Sequence, residues 1–278
     1  MQDLLLHWYE ENRRDLPWRN TTPWGVMMSE FMLQQTPVNR VLPVWQTWQV
    51  RWPMPSDLAS AKKSEVITAW GRLGYPKRAL RLQESACIIA ERFHNEVPSE
   101  LEQLRSLPGV GEYTAAAISA FAFGQSALVL DVNIRRLFAR VIDGKQHPSA
   151  NLSQLEREMR NSLIPKDGSK WAAATMEFGA LVCTSKKPSC EICPLNNQCL
   201  WRERGYPESE VSRKSQTWKE TDRQCRGVIV QALRENLTLS RTKIYTLWSD
   251  TSQVERALKT LIADGLIETT GNSFRLPD

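Results

Sequence analysis

From residue 1 to about 182 the apolar residues recur at three- and four-residue intervals, as in LEQLRSL and IRRLFARVI, and alternating runs are scarce. A period of this kind predicts helices, so this part of the chain is expected to be a helical body. Proline and glycine interrupt it at Leu16-Pro17, Thr22-Pro23, Gly71 to Gly74, Pro98, Pro108 to Gly111 and Gly124. Helices of ordinary length joined by short turns follow from that punctuation. The apolar period is lost over residues 203–222, a polar stretch of balanced charge that reads as a linker. After it, RGVIVQALREN, LSRTKIYTLW and TSQVERALKTLIADGLIETTGNSFRLPD predict three helices, then two short alternating segments around Thr270-Gly271-Asn272, a β-hairpin. Residues 223–278 are therefore expected to form a small winged-helix-like domain, with Ser252 to Ala263 as its recognition helix. The other reading is a small helical cap packed on the body. Ser240, Arg241, Lys243, Gln253, Arg256 and Lys259 are candidate phosphate contacts, or simply a solvated face.

Composition adds limits to this picture. With 278 residues, 41% hydrophobic and 24% charged, the chain has a globular make-up of about two domains. No apolar run approaches the roughly 18 residues of a membrane span, and the start, MQDLLLHWYEENRR, has an early acid, so neither a membrane nor a secreted protein is expected. A net charge of +5 permits a polyanionic partner without demanding one. The six cysteines are more telling, because four of them fall between residues 183 and 199. Clustered rather than spread, they point to a metal site in a reducing compartment.

Those four follow the pattern Cys183-x6-Cys190-x2-Cys193-x5-Cys199, stiffened by Pro188 and Pro194, with Lys186 and Lys187 available to ease the charge of four thiolates. Zinc accepts such ligands, though two CxxC-like pairs are its usual signature and only one is present. Cys87 and Cys225, alone in helical patterns, read as small core residues. Residues 104–121, LRSLPGVGEYTAAAISAF, read as a helix, a tight turn and an alanine-rich helix. Gly109 and Gly111 leave the backbone bare, and the N–H groups that open the second helix can bind a phosphate. This is a helix-hairpin-helix clamp on DNA backbone, or else a plain helical hairpin with a glycine turn. Asp131, between two apolar runs, is either a functional acid or the N-cap of the helix that follows. Glu30, among Val26, Met27, Met28, Phe31, Met32 and Leu33, is either a helix-surface residue or a partly desolvated carboxyl. Desolvation favours the protonated form that a general acid needs.

Taken in order, SEFMLQQT (29–36), WGRLGY (70–75), LPGVGEYTAAAI (107–118), LDVNIRR (130–136), MEFGALVC (176–183) and the cysteine loop resemble the adenine DNA glycosylases, the MutY type within the endonuclease III, or helix-hairpin-helix-GPD, superfamily. The resemblance covers about residues 5 to 202. It implies an all-α, two-lobed glycosylase body over residues 1–202. A six-helix barrel lobe would span about 18–128 and include the hairpin at 104–121, while an iron-sulfur lobe would comprise 1–17 and 129–202. The 6-2-5 cysteine spacing matches the family's [4Fe-4S] loop, with Cys183, Cys190, Cys193 and Cys199 as ligands. The implied activity is hydrolytic removal of adenine mispaired with 8-oxoguanine or guanine in double-stranded DNA, by a cytoplasmic, bacterial-type, nucleoid-associated monomer.

By the same resemblance Glu30 protonates the adenine and Asp131 stabilises the cationic sugar, with Asn133 and Tyr113 at positions that hold the catalytic groups. Tyr75 intercalates, Gln34, Gln35 and Thr36 approach the opposite purine, and Arg14 and Trp18 line the adenine pocket. Leu107, Gly109, Val110 and Gly111 form the backbone clamp. Tyr113 stands where the superfamily's glycosylase-lyases carry a lysine nucleophile, which implies a monofunctional enzyme. Three departures are visible: Ala173 stands where many members place Gln or Glu, Pro76 replaces the second tyrosine of GYY, and residues 223–278 are not the usual Nudix-like domain. A mismatch thymine or uracil glycosylase of the same fold, and a noncatalytic iron-sulfur DNA-binding regulator, are the competing readings.

Overall fold

Helix follows helix along the computed structural model, which describes residues 1–209 and 218–278, so residues 210–217 of the expected linker lie outside the described residues. In chain order the helices are α1 (Gln2–Asn12), α2 (Pro23–Leu33), α3 (Val38–Arg51), α4 (Pro55–Ala59), α5 (Lys63–Trp70), α6 (Lys77–Arg92), α7 (Leu101–Arg105) and α8 (Glu112–Phe123). They continue with α9 (Val132–Val141), α10 (Gln154–Asn161), α11 (Gly168–Leu181), α12 (Leu200–Glu203), α13 (Asp222–Glu235), α14 (Arg241–Tyr245) and α15 (Thr251–Ala263). Prolines open α2 and α4, where a missing N–H costs nothing. Gly124 closes α8 in the left-handed conformation. Among the described residues no helix is long and apolar enough to cross a membrane.

Contact density divides the chain into two units. The first contains Met1–Val26, Ser99–Ser106 and the described part of Val110–Arg213. Its core joins Ala116, Ala117 and Ala120 of α8 to Leu137 and Phe138 of α9, and to Trp171 and Phe178 of α11. The alanines let α8 approach closely, which places the hairpin helices α7 and α8 in this unit instead of with the barrel residues that the resemblance groups them with. At Gly179 a Cβ would lie 2.8 Å from the Asn133 carbonyl oxygen, so the contact of α11 with α9 requires glycine there.

The second unit contains Met27–Pro98, Leu107–Gly109 and the described part of Lys214–Asp278. Trp48 packs edge-on against Trp52 and Trp70, with centroids 4.6 and 5.5 Å apart. The C-terminal residues run in the order α13, β1 (Leu239–Ser240), α14, α15, β2 (Glu268–Thr270), β3 (Ser273–Arg275). The sheet order is β1-β3-β2, antiparallel throughout. This is the winged-helix order, with the hairpin turning at Gly271 (φ 57°). β1 departs from the helical reading of LSRTKIYTLW: Leu239 and Ser240 pair with Phe274 and Ser273, residues far along the chain that no local pattern reveals.

This domain is also packed on the body. Its core of Cys225, Ile229, Leu233, Val254 and Phe274 is continuous with Ile67 of α5 and Leu80 of α6. Lys77 bonds Asp264 at 2.7 Å, and Arg234 donates to the Ile67 carbonyl at 3.1 Å. Winged helix and packed cap, alternatives in the sequence, are thus both features of one structure.

Candidate active site

Asp131 caps α9. Its Oδ1 accepts from the backbone N–H groups of Asn133 (2.9 Å) and Ile134 (2.7 Å), and its Oδ2 accepts from the Asn133 side-chain amide at 2.7 Å. The N-cap reading of Asp131 is therefore what the geometry shows. Burial raises this carboxyl above its ordinary value, against the opposing pull of those three donors and of Arg136. Asn133 Oδ1 in turn accepts from Arg136 Nη2 at 2.9 Å, while the same guanidinium donates to the carbonyls of Gly179 (2.6 Å) and Cys183 (2.8 Å). A hydrogen-bonded chain thus runs from Asp131 to the start of the cysteine loop. Tyr113, the second residue of α8, is partly buried against the same core.

In the second unit Glu30 is 6% exposed, on a helix whose Met27, Met28, Phe31 and Met32 are almost wholly buried. It is not a surface glutamate. The hairpin turn lies against this helix: at Gly109 (φ 82°) a Cβ would stand 2.8 Å from the Phe31 ring and 2.9 Å from Arg81 Cβ. Ser85 Oγ donates to the Pro108 carbonyl at 2.7 Å. Leu107 and Val110 are buried, so these two candidate DNA contacts anchor the turn with their side chains, and only backbone is left for DNA. Gly111 is exposed with open space at its Cβ position, and α8 begins without a side-chain cap. Its first N–H groups suit an oxyanion.

Arg78 was missed in the sequence. Its Nη1 donates to the carbonyls of Phe31 (3.0 Å) and Gln34, and its Nη2 to Thr36 Oγ1 (3.1 Å) and the carbonyls of Leu73 (3.2 Å) and Gly74 (3.0 Å). One guanidinium therefore ties the Gln34-Gln35-Thr36 segment to the Tyr75 loop. Both segments carry a non-glycine residue in the left-handed region, Gln35 at φ 54° and Tyr75 at φ 46°. Such conformations cost about 1–3 kcal/mol each and persist only where the surroundings hold them. Burial lowers Arg78 to about 10, so it stays a cation at neutral pH. Tyr75 is exposed and Thr36 buried, donating to the Leu73 carbonyl at 3.1 Å.

Arg14 is half-buried and paired within the protein. Its Nε and Nη2 fork onto the Glu177 carboxylate at 2.8 and 2.7 Å, its backbone N–H adds a bond of 2.9 Å, and Arg19 approaches at 3.1 Å. Trp18 is buried, and Ala173 lies one turn before Glu177 on α11. Burial alone would raise the Glu177 carboxyl, but the hydrogen bonds from Arg14 and the charge of Arg19 outweigh it and hold the group below its ordinary value. A carboxylate depressed on folding adds stability above its unfolded pKa and loses it as pH falls through the folded one. Glu177→Gln is expected to cost about 3 kcal/mol at pH 7, the lower end for a broken buried pair because both arginines keep some exposure. Urea melts at pH 7 and pH 4 check this, with the deficit shrinking at the lower pH.

Cys183, Cys190, Cys193 and Cys199 line one small cavity with Leu137, Arg140 and Trp201. Burial lifts the Cys193 thiol to about 11 and raises that of Cys183, the latter opposed by Arg140. The countercharge is thus not Lys186 or Lys187, which are exposed, but the buried Arg140. It donates to Cys183 Sγ at 3.4 Å and to the carbonyls of Thr184 (2.7 Å) and Ser185 (3.0 Å). Arg136 and Arg140, four apart on the apolar face of α9, are the sequence signal for these contacts. Among the described residues no three Cys, His, Asp or Glu side chains converge closely enough to hold one metal ion. Four soft donors around a shared cavity, with a buried cation beside them, fit a multi-iron cluster bound by thiolates.

Residues 28–162 match the model of the HhH-GPD superfamily base excision DNA repair proteins, and residues 183–199 that of the iron-sulfur binding domain of endonuclease III. Over 274 residues the chain is 45% identical to the adenine DNA glycosylase of Mycolicibacterium smegmatis, an alignment that covers 96% of this chain and 92% of the relative. The chain belongs to the adenine DNA glycosylases. Like others of this family it is a base excision repair enzyme and a hydrolase of N-glycosyl bonds, and it carries an iron-sulfur binding loop. The human adenine DNA glycosylase is 39% identical over 223 residues, which cover 76% of this chain and 41% of the human one. The mycobacterial alignment, by contrast, takes in most of the C-terminal winged helix, so this adenine glycosylase shares that region with a relative. A thermostable thymine-DNA glycosylase is similar in structure, with a TM-score of 0.66 and 29% identity over 73% of this chain and 94% of that one.

Proposed function

We propose that the protein acts as a monomer on chromosomal duplex DNA, releasing adenine mispaired with 8-oxoguanine or guanine by hydrolysis and leaving an abasic site. The observation that carries this reading is the contrast between its two acids. Glu30 is buried on a helix whose flanking residues are apolar, and Asp131 caps α9 with both oxygens engaged by N–H donors. Pairs of carboxyls in such different settings divide into acid and stabiliser.

Adenine must first leave the stack, at a cost of about a few kcal/mol. Tyr75, exposed on its clamped loop, fills the gap, and Gln34 and Gln35 face the opposite purine, while the buried Thr36 holds their segment through Arg78. Glu30 then donates a proton to N7, so the base departs neutral, and afterwards takes a proton from the attacking water. Asp131 faces the positive charge that develops on the sugar as the C1'–N9 bond breaks. Burial raises this carboxyl, and its three donors and Arg136 oppose that rise, toward the ionised form that this role needs. The four cysteines would hold a [4Fe-4S] cluster, which supplies covalent closure of the loop on which Arg136 and Arg140 converge. Arg136 and Asn133 transmit that placement to Asp131.

A panel of A:8-oxoguanine, A:G, T:G and U:G duplexes tests the reading, with release expected only from the two adenine pairs. Since Tyr113 has no amine, no Schiff base forms, and borohydride is expected to trap no covalent DNA adduct. A strong trapped band would overturn the monofunctional assignment.

A further inference from the structure

Helix α13 and the Tyr75 loop wall a single cleft of about 1060 Å³, which also includes Gln35. Arg40 and Arg72 enter it from the body and Arg223, Arg226 and Arg234 from α13, against one carboxylate, Glu235. Arg226 is held by Asp264 at 2.6 Å and Arg234 by the Ile67 carbonyl; Arg40, Arg72 and Arg223 are the exposed cations, with one nitrogen of Arg40 donating to the Arg72 carbonyl and its other donors turned to the cleft's solvent. The Arg223 guanidinium lies over two rings, 4.6 Å from the centroid of Tyr75 and 4.8 Å from that of Trp218. Stacking fixes its plane without consuming its in-plane donors.

The recognition-helix position is different. Arg256 donates from Nε and Nη2 to the two Asp222 oxygens, each at 3.0 Å. Gln253 accepts from Trp248 Nε1 at 2.5 Å and donates to the Glu220 carbonyl at 3.1 Å. Ser240 caps α14. Three of the six phosphate contacts expected in this domain are therefore occupied within it.

We infer that the cleft holds the sugar-phosphate backbone of the strand opposite the target adenine, with Arg223, Arg40 and Arg72 on its phosphates, so that the winged helix grips DNA through α13 and not through α15. This rests on the reading that Gln35 and Tyr75 meet the duplex. Charge decides the occupant: an exposed trio of guanidinium groups beside one acid, flanked by an aromatic side chain at the lesion, suits a polyanion with stackable bases. Because phosphate is the ligand, the grip is blind to the opposite base.

The test uses the full chain, with Arg223→Ala and Arg223→Lys titrated against duplexes containing A:G or a matched A:T pair over a range of salt. Arg223→Ala is expected to bind both duplexes about five- to tenfold more weakly and to flatten the slope of log K against log salt by about one, and Arg223→Lys to recover the slope. Melting temperatures within about two degrees of wild type would show that the variants fold. Unchanged affinity and slope in Arg223→Ala overturn the inference, and a loss confined to one opposite base overturns the backbone assignment. Wild-type protein that excises no adenine would instead remove the proposed function, a result distinct from an active wild type with an indifferent Arg223→Ala.

Discussion

Glu30→Gln is expected to lose adenine excision, with single-turnover release at least about 10³-fold slower than wild type, while affinity for an A:G duplex stays within about threefold. General acid catalysis contributes about 10²–10⁴-fold, and the upper part of that range applies because the same carboxyl serves protonation and water activation. Glutamine keeps the shape of the side chain and a hydrogen-bonding head group but cannot donate a proton to the base. Cluster absorbance and melting temperature separate chemistry from folding, since a misfolded variant loses both. A folded Glu30→Gln enzyme with wild-type single-turnover rates would sink the acid assignment.

Arg78→Met is expected to be nearly as damaging, by a different route. Methionine replaces the apolar length of arginine but removes the donors that serve the carbonyls of Phe31, Leu73 and Gly74 and the Thr36 hydroxyl. Leaving buried acceptors unpaired costs about 1–3 kcal/mol each, and the two left-handed residues, Gln35 and Tyr75, lose the clamp that offsets their strain. Displacement of a positioning group by about 1 Å can cost about 10²-fold in rate, and that is the expected loss for excision opposite guanine. Arg78 acts through the two loops, so its signature is discrimination. After correction for active enzyme, the preference for A:G over A:C is expected to collapse in Arg78→Met, whereas a variant that was merely less stable would keep it. Arg78→Lys is expected to recover little, because one ammonium cannot reach both loops.

Much of this site was legible in the chain. The cysteine spacing, the Leu-Pro-Gly-Val-Gly turn and the lone acids at positions 30 and 131 are local patterns, and local patterns survive translation into structure. Glycine at 109 shows why: the left-handed turn and the close approach of Phe31 both exclude a side chain, so the requirement is written into one residue. What escaped were the arginines. Arg78 looks like an ordinary surface cation in the sequence, since nothing local distinguishes a guanidinium facing solvent from one bonded to a carbonyl 47 residues away, and Arg136 and Arg140 are marked only by their place on the apolar face of α9. Arg14, matched by the resemblance to a pocket-lining position, is also forked onto Glu177, a partner 163 residues away that no local pattern shows. The two-residue strand at Leu239–Ser240 was invisible for the same reason, its partner being Phe274.

By itself, then, the order of residues determined the helical class, the iron-sulfur binding loop, the glycine turn at 109 and the places of two isolated acids, because each depends on short-range geometry, on donor chemistry or on the absence of a side chain. Only the tertiary structure decided which cations are paired inside and which stay exposed. A guanidinium has five donors and a long reach, so its role is set by whichever carbonyls, carboxylates and rings the fold brings near it.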